Sequence, residues 1–399
     1  MNDVPLIDQL LNDRNYHIEF NGHLSNHVKH AVVALAGLGA PPQRIKAYHD
    51  NYARLTPYGY GLEPPKPSKH VVSADNWTQF LGRRTSFWAY CDFFERQVQD
   101  RGRDAVLRRY VPVLLPGWVG AFTHATIHLG WALDAGNRWM AIEGLAYMAF
   151  SYVSCHPERA VRARDLRPDE RGVDSLLRIA RVWETEREVL RAWVEGLIAD
   201  TGSEAAASIH PELMRSGLQF RIARLAAAGH PLIYELPAWI EGQEVSTSWD
   251  QLYYVATLLY LAQPGDFVIL HLITSLHAME QIADCLPADQ RRHAVACFWI
   301  GMLCIVFSRA EFPTATRLAA LHAQFQDVVD PRDSPAVVQD WDQIIASAIA
   351  EDEEHNPKMV YVLQRVWKRT GRRAVYRAAA AHFTTTPELP KSFEQPPNE

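Results

Sequence analysis

Residues 294–307 read AVACFWIGMLCIVF, an uninterrupted apolar run within a chain of 399 residues. A helix that is apolar on every side must be buried, either inside a protein or in lipid. The run is shorter than the roughly 20 residues that a membrane-spanning helix needs. It therefore predicts a buried core helix in a protein without a membrane-spanning segment.

The rest of the chain repeats the helical pattern, with apolar residues spaced three or four positions apart. No strand-like alternation is clear, apart from a possible short hairpin at Ile240–Val245. We therefore predict an all-α fold with a single large multi-helix domain over residues 1–386 and a flexible polar tail over 387–399. The predicted helical segments are Ala31–Leu38, Ile45–Tyr52, Phe87–Val98, Ala105–Leu115, Val119–Leu133, Trp139–Val153, Leu176–Ile198, Ala205–Ala228, Trp249–Leu261, Phe267–Cys285, Ala294–Phe307, Val337–Ile349, Lys358–Arg369 and Ala374–Phe383.

The composition narrows the class of protein. The hydrophobic share of 48% and the charged share of 22% are ordinary for a globular protein. A formal net charge of −6 argues against a nucleic-acid-binding surface, which would be basic. The five cysteines form no CxxC pair, and no signal peptide is visible, so we expect reduced thiols and a cytoplasmic location.

The 17 histidines are clustered, and two clusters have helical spacing. His27 and His30 are separated by three residues, so they face the same side of a helix. His124 and His128 are separated by four, the spacing with which HExxH helices present two metal ligands. The glutamate of that motif is absent, which disfavours a metalloprotease. Each pair could bind a metal or could simply be solvated or core histidines.

A third pair, His271 and His277, lies inside an otherwise apolar helix. Six residues place their rings about 120° apart on an ideal helix. Both could therefore reach one site only if the helix were distorted or if one ring oriented the other. They could equally be two core histidines with ordinary hydrogen bonds.

The fourth cluster, EEHNPK at residues 353–358, precedes an apolar helical segment. Asn356 is a good N-cap and Pro357 suits the first helical position, which puts Lys358 in the first turn. A cation there opposes the helix dipole. Lys358 is therefore either a solvated lysine paired with Glu353 or Glu354, or a lysine whose charge has been altered.

Four histidine-bearing segments together favour a metal site, and imidazole suits iron, copper or zinc. Neither a GxGxxG motif nor a P-loop suggests another cofactor, and no GxSxG motif suggests a serine hydrolase.

Four motifs in this order resemble the questin oxidase family. They are NHxxHAxxALxxLGA at residues 26–40, HxxxHLGxAL at 124–133, HxxTxxHA at 271–278 and HxxK at 355–358. The resemblance covers roughly residues 21–383. The chain departs from the family pattern at Pro357 and in the loop Tyr58-Gly59-Tyr60.

The resemblance implies an all-helical enzyme of natural-product pathways that oxidatively cleaves a ring or a C–C bond of an aromatic polyketide. It also implies Fe(II) held by histidines and a carboxylated lysine, with dioxygen as co-substrate and NADPH as a possible reductant. By resemblance, Lys358 is that lysine, and the histidines ranked first as ligands are His30, His128, His271 and His277. Ranked after them, as alternate ligands or as residues that orient a ligand, are His27, His124 and His355.

Two alternatives stay open. One is a metal-free, NADPH-dependent Baeyer–Villiger-type monooxygenase, and the other is a non-catalytic helical binding protein with structural histidines. The expected partner of the iron oxygenase, and of the metal-free monooxygenase, is a small aromatic natural product. Metal content separates the first interpretation from the other two.

Overall fold

The computed structural model describes residues 5–162, 171–207, 209, 213 and 217–388. The all-α prediction is confirmed. The α-helices span Leu6–Leu11, Val28–Gly37, Pro42–Arg54, Phe87–Arg101, Arg103–Leu114, His124–Asp134, Arg138–Phe150, Gly172–Thr185, Arg187–Ala199, Glu204–Ala207, Leu218–Ala228, Pro231–Tyr234, Trp239–Gly242, Val245–Ala262, Phe267–Asp284, Ala288–Phe307, Ala315–Phe325, Pro335–Ala350, His355–Arg369 and Ala374–Ala380.

The remaining regular structure is short. The 3₁₀ turns span Trp77–Phe80, Leu115–Gly117, Gly120–Thr123 and Pro157–Arg159. Two-residue strands pair Glu19–Phe20 with Leu24–Ser25 in antiparallel fashion, and Val161–Arg162 with Glu235–Leu236 in parallel. None of these pairings forms an extended sheet, so helix packing builds the core.

The core is continuous along the chain. One cluster of buried apolar side chains extends from Leu10 to Ala380. Residues 294–307 are buried throughout, as their apolar sequence predicts, and form the last two thirds of the helix Ala288–Phe307. Within the part of the chain that is described, no helix has the length and apolar character needed to cross a bilayer. All five cysteines are free thiols.

Five expectations about local structure need correction or fall partly outside the described residues. The expected hairpin at Ile240–Val245 is wrong, because two helices meet there. The predicted helix Leu176–Ile198 is divided at Glu186, which leaves helical geometry with φ −109° and ψ 21°. The segment Val119–Leu133 is broken by three residues with positive φ. The middle of Ala205–Ala228 lies partly outside the described residues, as does the tail beyond Glu388.

The start of the helix His355–Arg369 also differs from the expectation. Asn356 is not the N-cap, because the helix begins two residues earlier, at His355, with Glu354 at the N-cap position. The capping bonds come instead from Glu353, whose carboxylate accepts hydrogen bonds from the backbone N–H groups of His355 and Asn356. The Asn356 side chain is bonded to the backbone of Thr384, which ties the C-terminal segment to this helix. Lys358 still lies in the first turn.

The helix His124–Asp134, which we call the His124 helix, packs between two others. On one side lies Phe267–Asp284, the His271 helix, and on the other lies Arg138–Phe150. Glycine allows both close approaches: a Cβ on Gly130 would lie 2.3 Å from the Cα and O of Ala278, and a Cβ on Gly144 would lie 2.5 Å from the Cα of Leu129. Because these neighbours are backbone atoms, they cannot rotate away.

We predict that Gly130→Ala separates the His124 and His271 helices and lowers the free energy of unfolding by about 3 kcal/mol or more, since overpacking in a dense core typically costs about 1–3 kcal/mol and backbone cannot yield as side chains do. Urea denaturation followed by circular dichroism measures the change. Gly136→Ala is not a suitable control because its φ is 65°, whereas Gly196→Ala in an open helical position is. Equal stability of Gly130→Ala and Gly196→Ala would contradict this packing.

Candidate metal centre

Five buried histidines meet where four chain segments converge. His27 and His30 lie at the start of the helix Val28–Gly37, His124 begins its own helix, His271 lies in the His271 helix, and His355 begins the last long helix. Each side chain is 6% exposed or less. Burial lowers the pKa of all five rings well below its usual value, that of His124 to about 3, so the imidazoles are neutral.

His124 and His271 present lone pairs to each other. The Nδ1–H of His124 donates to the carbonyl oxygen of Ala121 at 2.6 Å, and the Nδ1–H of His271 donates to that of Phe267 at 2.7 Å. A neutral imidazole carries one proton, so both Nε2 atoms are acceptors. These Nε2 atoms are 3.1 Å apart. Two acceptors at that distance repel each other unless a positive centre binds both.

His355 offers a third free nitrogen. Its Nδ1 lies 2.6 Å from a carboxylate oxygen of Glu353, which fixes the proton there and leaves Nε2 as the acceptor. That Nε2 is buried without a hydrogen-bond partner. His27, His124 and His355 each place one ligand atom within 4.8 Å of the others.

His30 is oriented by a chain of buried groups. The Lys29 ammonium donates to Glu143 at 2.6 Å, the same Glu143 oxygen lies 3.3 Å from Nε2 of His128, and Nδ1 of His128 lies 2.9 Å from Nε2 of His30. Burial alone would raise the pKa of Glu143, but Lys29 and His128 outweigh it and lower that pKa. The ionised carboxylate holds the proton of His128 on Nε2, so His30 donates to His128 and keeps its Nδ1 as a buried, unpartnered acceptor.

Lys358 and two glutamates supply the charges of the site. Lys358 is fully buried, so its interpretation as a solvated lysine is wrong. Burial lowers its pKa to about 8, against the opposing effect of Glu354 and Glu353. Burial raises the pKa of Glu353 to about 7, and burial together with Glu353 raises that of Glu354 to about 8. The Lys358 Nζ is 3.0 Å from Nδ1 of His27, and Glu354 Oε1 is 3.5 Å from the same nitrogen.

The structure brings some of the predicted residues together and not others. His27, His30, His124, His271, His355 and Lys358 form the cluster. His128 lies behind His30 with both ring nitrogens engaged. His277 is not in the cluster, because its Nε2 lies 3.2 Å from Asp134 and its ring packs on Trp131 and Tyr361. Because the helix is regular, the six-residue separation places His277 further along the axis than His271 and on a different face of the helix.

The backbone before the His124 helix is strained. Ala121, Phe122 and Thr123 have φ of 50°, 50° and 69°, a left-handed run that costs roughly 1–2 kcal/mol per residue. The strain places the Ala121 carbonyl against His124 and packs the Phe122 ring 4.4 Å from that of His271. Strained backbone of this kind concentrates at functional sites.

A cavity of about 400 Å³ opens onto His27 and His124. Its apolar walls include Phe122 and Phe267, and Phe267 also covers the rings of His271 and His355 at 4.9 and 4.8 Å. Tyr58 lines the same cavity, and burial with Glu354 and Glu353 raises the pKa of its phenol. The volume lies in the range of small-molecule sites.

Sequence reasoning missed several of these groups. Glu353 and Glu354 were expected only as surface partners of Lys358, although their position directly before the histidine of HxxK was the available signal. Glu143 and Phe122 carried no motif.

Comparison with known proteins agrees with the motifs. The family model described as questin oxidase-like matches residues 24–363. The chain therefore belongs to the questin oxidase-like family.

Two curated relatives are similar in sequence to part of this chain. Baeyer-Villiger oxidase AgnL3 of Paecilomyces divaricatus is 27% identical over 155 residues, 35% of this chain and 32% of the relative. Oxidoreductase AflY of Aspergillus parasiticus is 30% identical over 141 residues, 33% of this chain and 28% of the relative. The matched region thus spans about a third of the curated relatives.

The neutral cluster makes stability depend on pH. We predict that the metal-free protein loses a few kcal/mol of unfolding free energy between pH 7.5 and 5.5. Histidines of the unfolded chain have a pKa of about 6.5, so below that pH they bind protons that the five buried rings do not. At pH 5.5 this lowers the free energy of unfolding by about 1.4 kcal/mol per ring. Glu353 and Glu354 act in the opposite sense, because their raised pKa values favour the folded state on acidification, but they are two groups against five.

Urea denaturation at the two pH values measures the difference. His271→Gln removes one titrating ring and should reduce it. A wild-type stability that is level or rises on acidification would contradict neutral buried histidines.

Proposed function

We propose that the chain is a non-heme iron oxygenase that oxidatively cleaves an aromatic polyketide or a related natural product. The observation that carries this is the pair of Nε2 acceptors of His124 and His271, 3.1 Å apart in a buried site. Only a shared cation relieves that contact while both rings stay neutral. Two imidazole nitrogens this close could both bind a single ion at the metal–nitrogen distances of about 2.0–2.1 Å that are usual in proteins.

The donor set fits a first-row transition metal. His124, His271 and His355 would bind through Nε2, with His27 and the free Nδ1 of His30 completing the nitrogen donors. If these residues held ferrous iron, the ion would supply the capacity to bind and activate dioxygen. Copper and zinc suit imidazole as well, and the family favours iron.

The chain's own residues would prepare the substrate. Phe122 and Phe267 exclude water from the histidines and offer flat apolar surfaces to an aromatic ring. Tyr58 stays protonated because of its raised pKa, so it can donate a hydrogen bond to a substrate oxygen at the open end of the cluster. The Lys29–Glu143–His128 chain fixes the ring of His30, as such outer partners do for metal-binding histidines.

Lys358 is proposed to carry a carboxylate derived from carbon dioxide. Carboxylation needs the neutral amine, and burial lowers the pKa of Lys358 to about 8, so an appreciable fraction is neutral near physiological pH. The product would be an anion in the first turn of a helix, which the dipole favours, and would offer an oxygen ligand. Glu354, buried 3.5 Å from His27, is the competing source of that oxygen.

Oxygen insertion next to a carbonyl is a second candidate for the reaction type. One curated relative is named a Baeyer-Villiger oxidase, and that name favours this outcome. NADPH is the reductant that we propose for this second candidate. Both candidates share the cavity at His27 and His124.

The His271 helix offers a matched test of the metal site. We predict that protein purified without a nickel column contains close to one iron per chain, that His271→Gln loses iron and oxygen uptake, and that His277→Gln keeps both. The two substitutions are identical in chemistry and lie in one helix, but only His271 presents a free lone pair to the cluster. Elemental analysis and an oxygen electrode provide the measurements.

Equal iron loss in the two variants would contradict the proposal that His271 binds the metal and His277 does not. A wild-type protein free of iron, even after anaerobic reconstitution with Fe(II), would overturn the iron proposal. It would favour the metal-free monooxygenase or the binding protein.

Lys358 has its own prediction. Under the carbamate proposal, Lys358→Ala and Lys358→Arg both abolish activity, because neither side chain can be carboxylated in this way. Acetate or formate should partly restore Lys358→Ala by occupying the vacated space. Protein equilibrated with ¹³C-bicarbonate should show a carbamate carbon resonance that Lys358→Ala lacks.

Glu354→Gln is the companion variant. A fully active Lys358→Arg protein would end the carbamate proposal, and an inactive Glu354→Gln alongside it would assign the oxygen ligand to Glu354.

A further inference from the structure

Among the residues that the structure describes, one half-buried cation lines the cavity that reaches His27 and His124. Arg221, in the helix Leu218–Ala228, lines it together with apolar side chains that include Leu24 and Leu218. The other charged residue among the described residues of the lining is Glu388, which is exposed to solvent. An exposed carboxylate is well solvated and contributes little to neutralising a neighbour.

The guanidinium of Arg221 is incompletely bonded. Its Nε is buried and makes no hydrogen bond within the described part of the chain. Arginine stays charged at any physiological pH and has only donors, so a buried N–H without an acceptor is costly. The next arginine of the same helix shows the ordinary arrangement: Arg224 donates from Nε to the Leu197 carbonyl at 3.0 Å and from a terminal nitrogen to Asp200 at 2.9 Å.

We propose that Arg221 is a specificity-determining residue that binds an anionic oxygen of the substrate, either a carboxylate or an ionised phenol attached to an aromatic ring system. This rests on the proposed function, in that the cavity is taken as the place where the substrate is bound. The proposal adds the charge of the substrate and the residue that selects for it.

The chemistry of the lining supports an aromatic anion over a neutral hydrocarbon or a cation. Phe122 and Phe267 supply surfaces for a flat ring, and the planar guanidinium matches the two oxygens of a carboxylate. A volume of about 400 Å³ accommodates a fused aromatic ring system. Anchoring one edge of the molecule at Arg221 would limit its orientations relative to the histidines, which is how binding groups promote reaction at a fixed position.

Two isosteric probes test the charge preference directly. They are 2-naphthoate, which is anionic at pH 7.5, and 2-naphthamide, which is neutral. Their dissociation constants are measured by calorimetry on the protein as purified, on Arg221→Gln and on Arg221→Lys. The control is Arg191→Gln, the same substitution at an exposed arginine paired with Glu195.

We expect wild type and Arg191→Gln to bind naphthoate at least about tenfold more tightly than naphthamide, since hydrogen bonds between charged groups are stronger than those of a neutral amide. Arg221→Gln should lose this preference while keeping naphthamide affinity and metal content. Arg221→Lys should retain part of it, because the charge remains and the planar geometry does not.

Two results would overturn the inference. One is an unchanged preference for naphthoate in Arg221→Gln, which would place the anion on the metal or elsewhere. The other is a wild-type protein that binds neither probe. Because binding is measured without turnover, a charge preference in a protein without oxygen uptake would defeat the proposed oxidation and leave Arg221 as an anion-binding residue.

Discussion

The close packing of the His124 helix on the His271 helix is the constraint on which the site depends. At Gly130 the first helix has no side chain, so the backbone of Ala278 fits against it. Two turns toward the N-terminus of the His124 helix, the same proximity brings Nε2 of His124 to 3.1 Å from Nε2 of His271. A wider helix separation would leave two isolated core histidines, each bonded to one carbonyl, and no reason to bind a cation.

Hydrogen bonds then divide the histidines by role. A ring whose Nδ1 donates to a carbonyl or carboxylate has its Nε2 left as an acceptor, which is the case for His124, His271 and His355. His128 uses both nitrogens, with Glu143 and His30, and so directs the free nitrogen of His30 instead of offering its own. Because burial keeps these rings neutral, the lone pairs are available without loss of a proton, and the ionic charges are confined to Lys358 and the neighbouring glutamates.

The sequence was sufficient for the fold class and for most of the cluster, and the reasons are physical. The apolar run at residues 294–307 had to be buried, and regular spacing located most helices. Helix boundaries are harder to predict where local signals conflict. Asn356 and Pro357 suggest a helix start, but the helix begins two residues earlier, where the carboxylate of Glu353 caps it. The short helices Leu6–Leu11 and Ala315–Phe325 were missed.

Spacing identifies rings on one face of a helix, but the choice between ring nitrogens depends on contacts from other segments. The ranking of His128 and His277 ahead of His124 and His355 shows this limit. His277 has a motif position as regular as that of His271, yet its partner Asp134 comes from the far end of the His124 helix. The role of His128 depends on Glu143, a residue in a different helix with no motif of its own.

The left-handed run at Ala121–Thr123 is equally invisible, because none of its residues is a glycine. The two contacts that this run makes are the ones the site needs: the Ala121 carbonyl fixes the His124 tautomer, and the Phe122 ring covers His271. The energy spent on this backbone therefore supports the same pair of nitrogens that the glycine contact brings together.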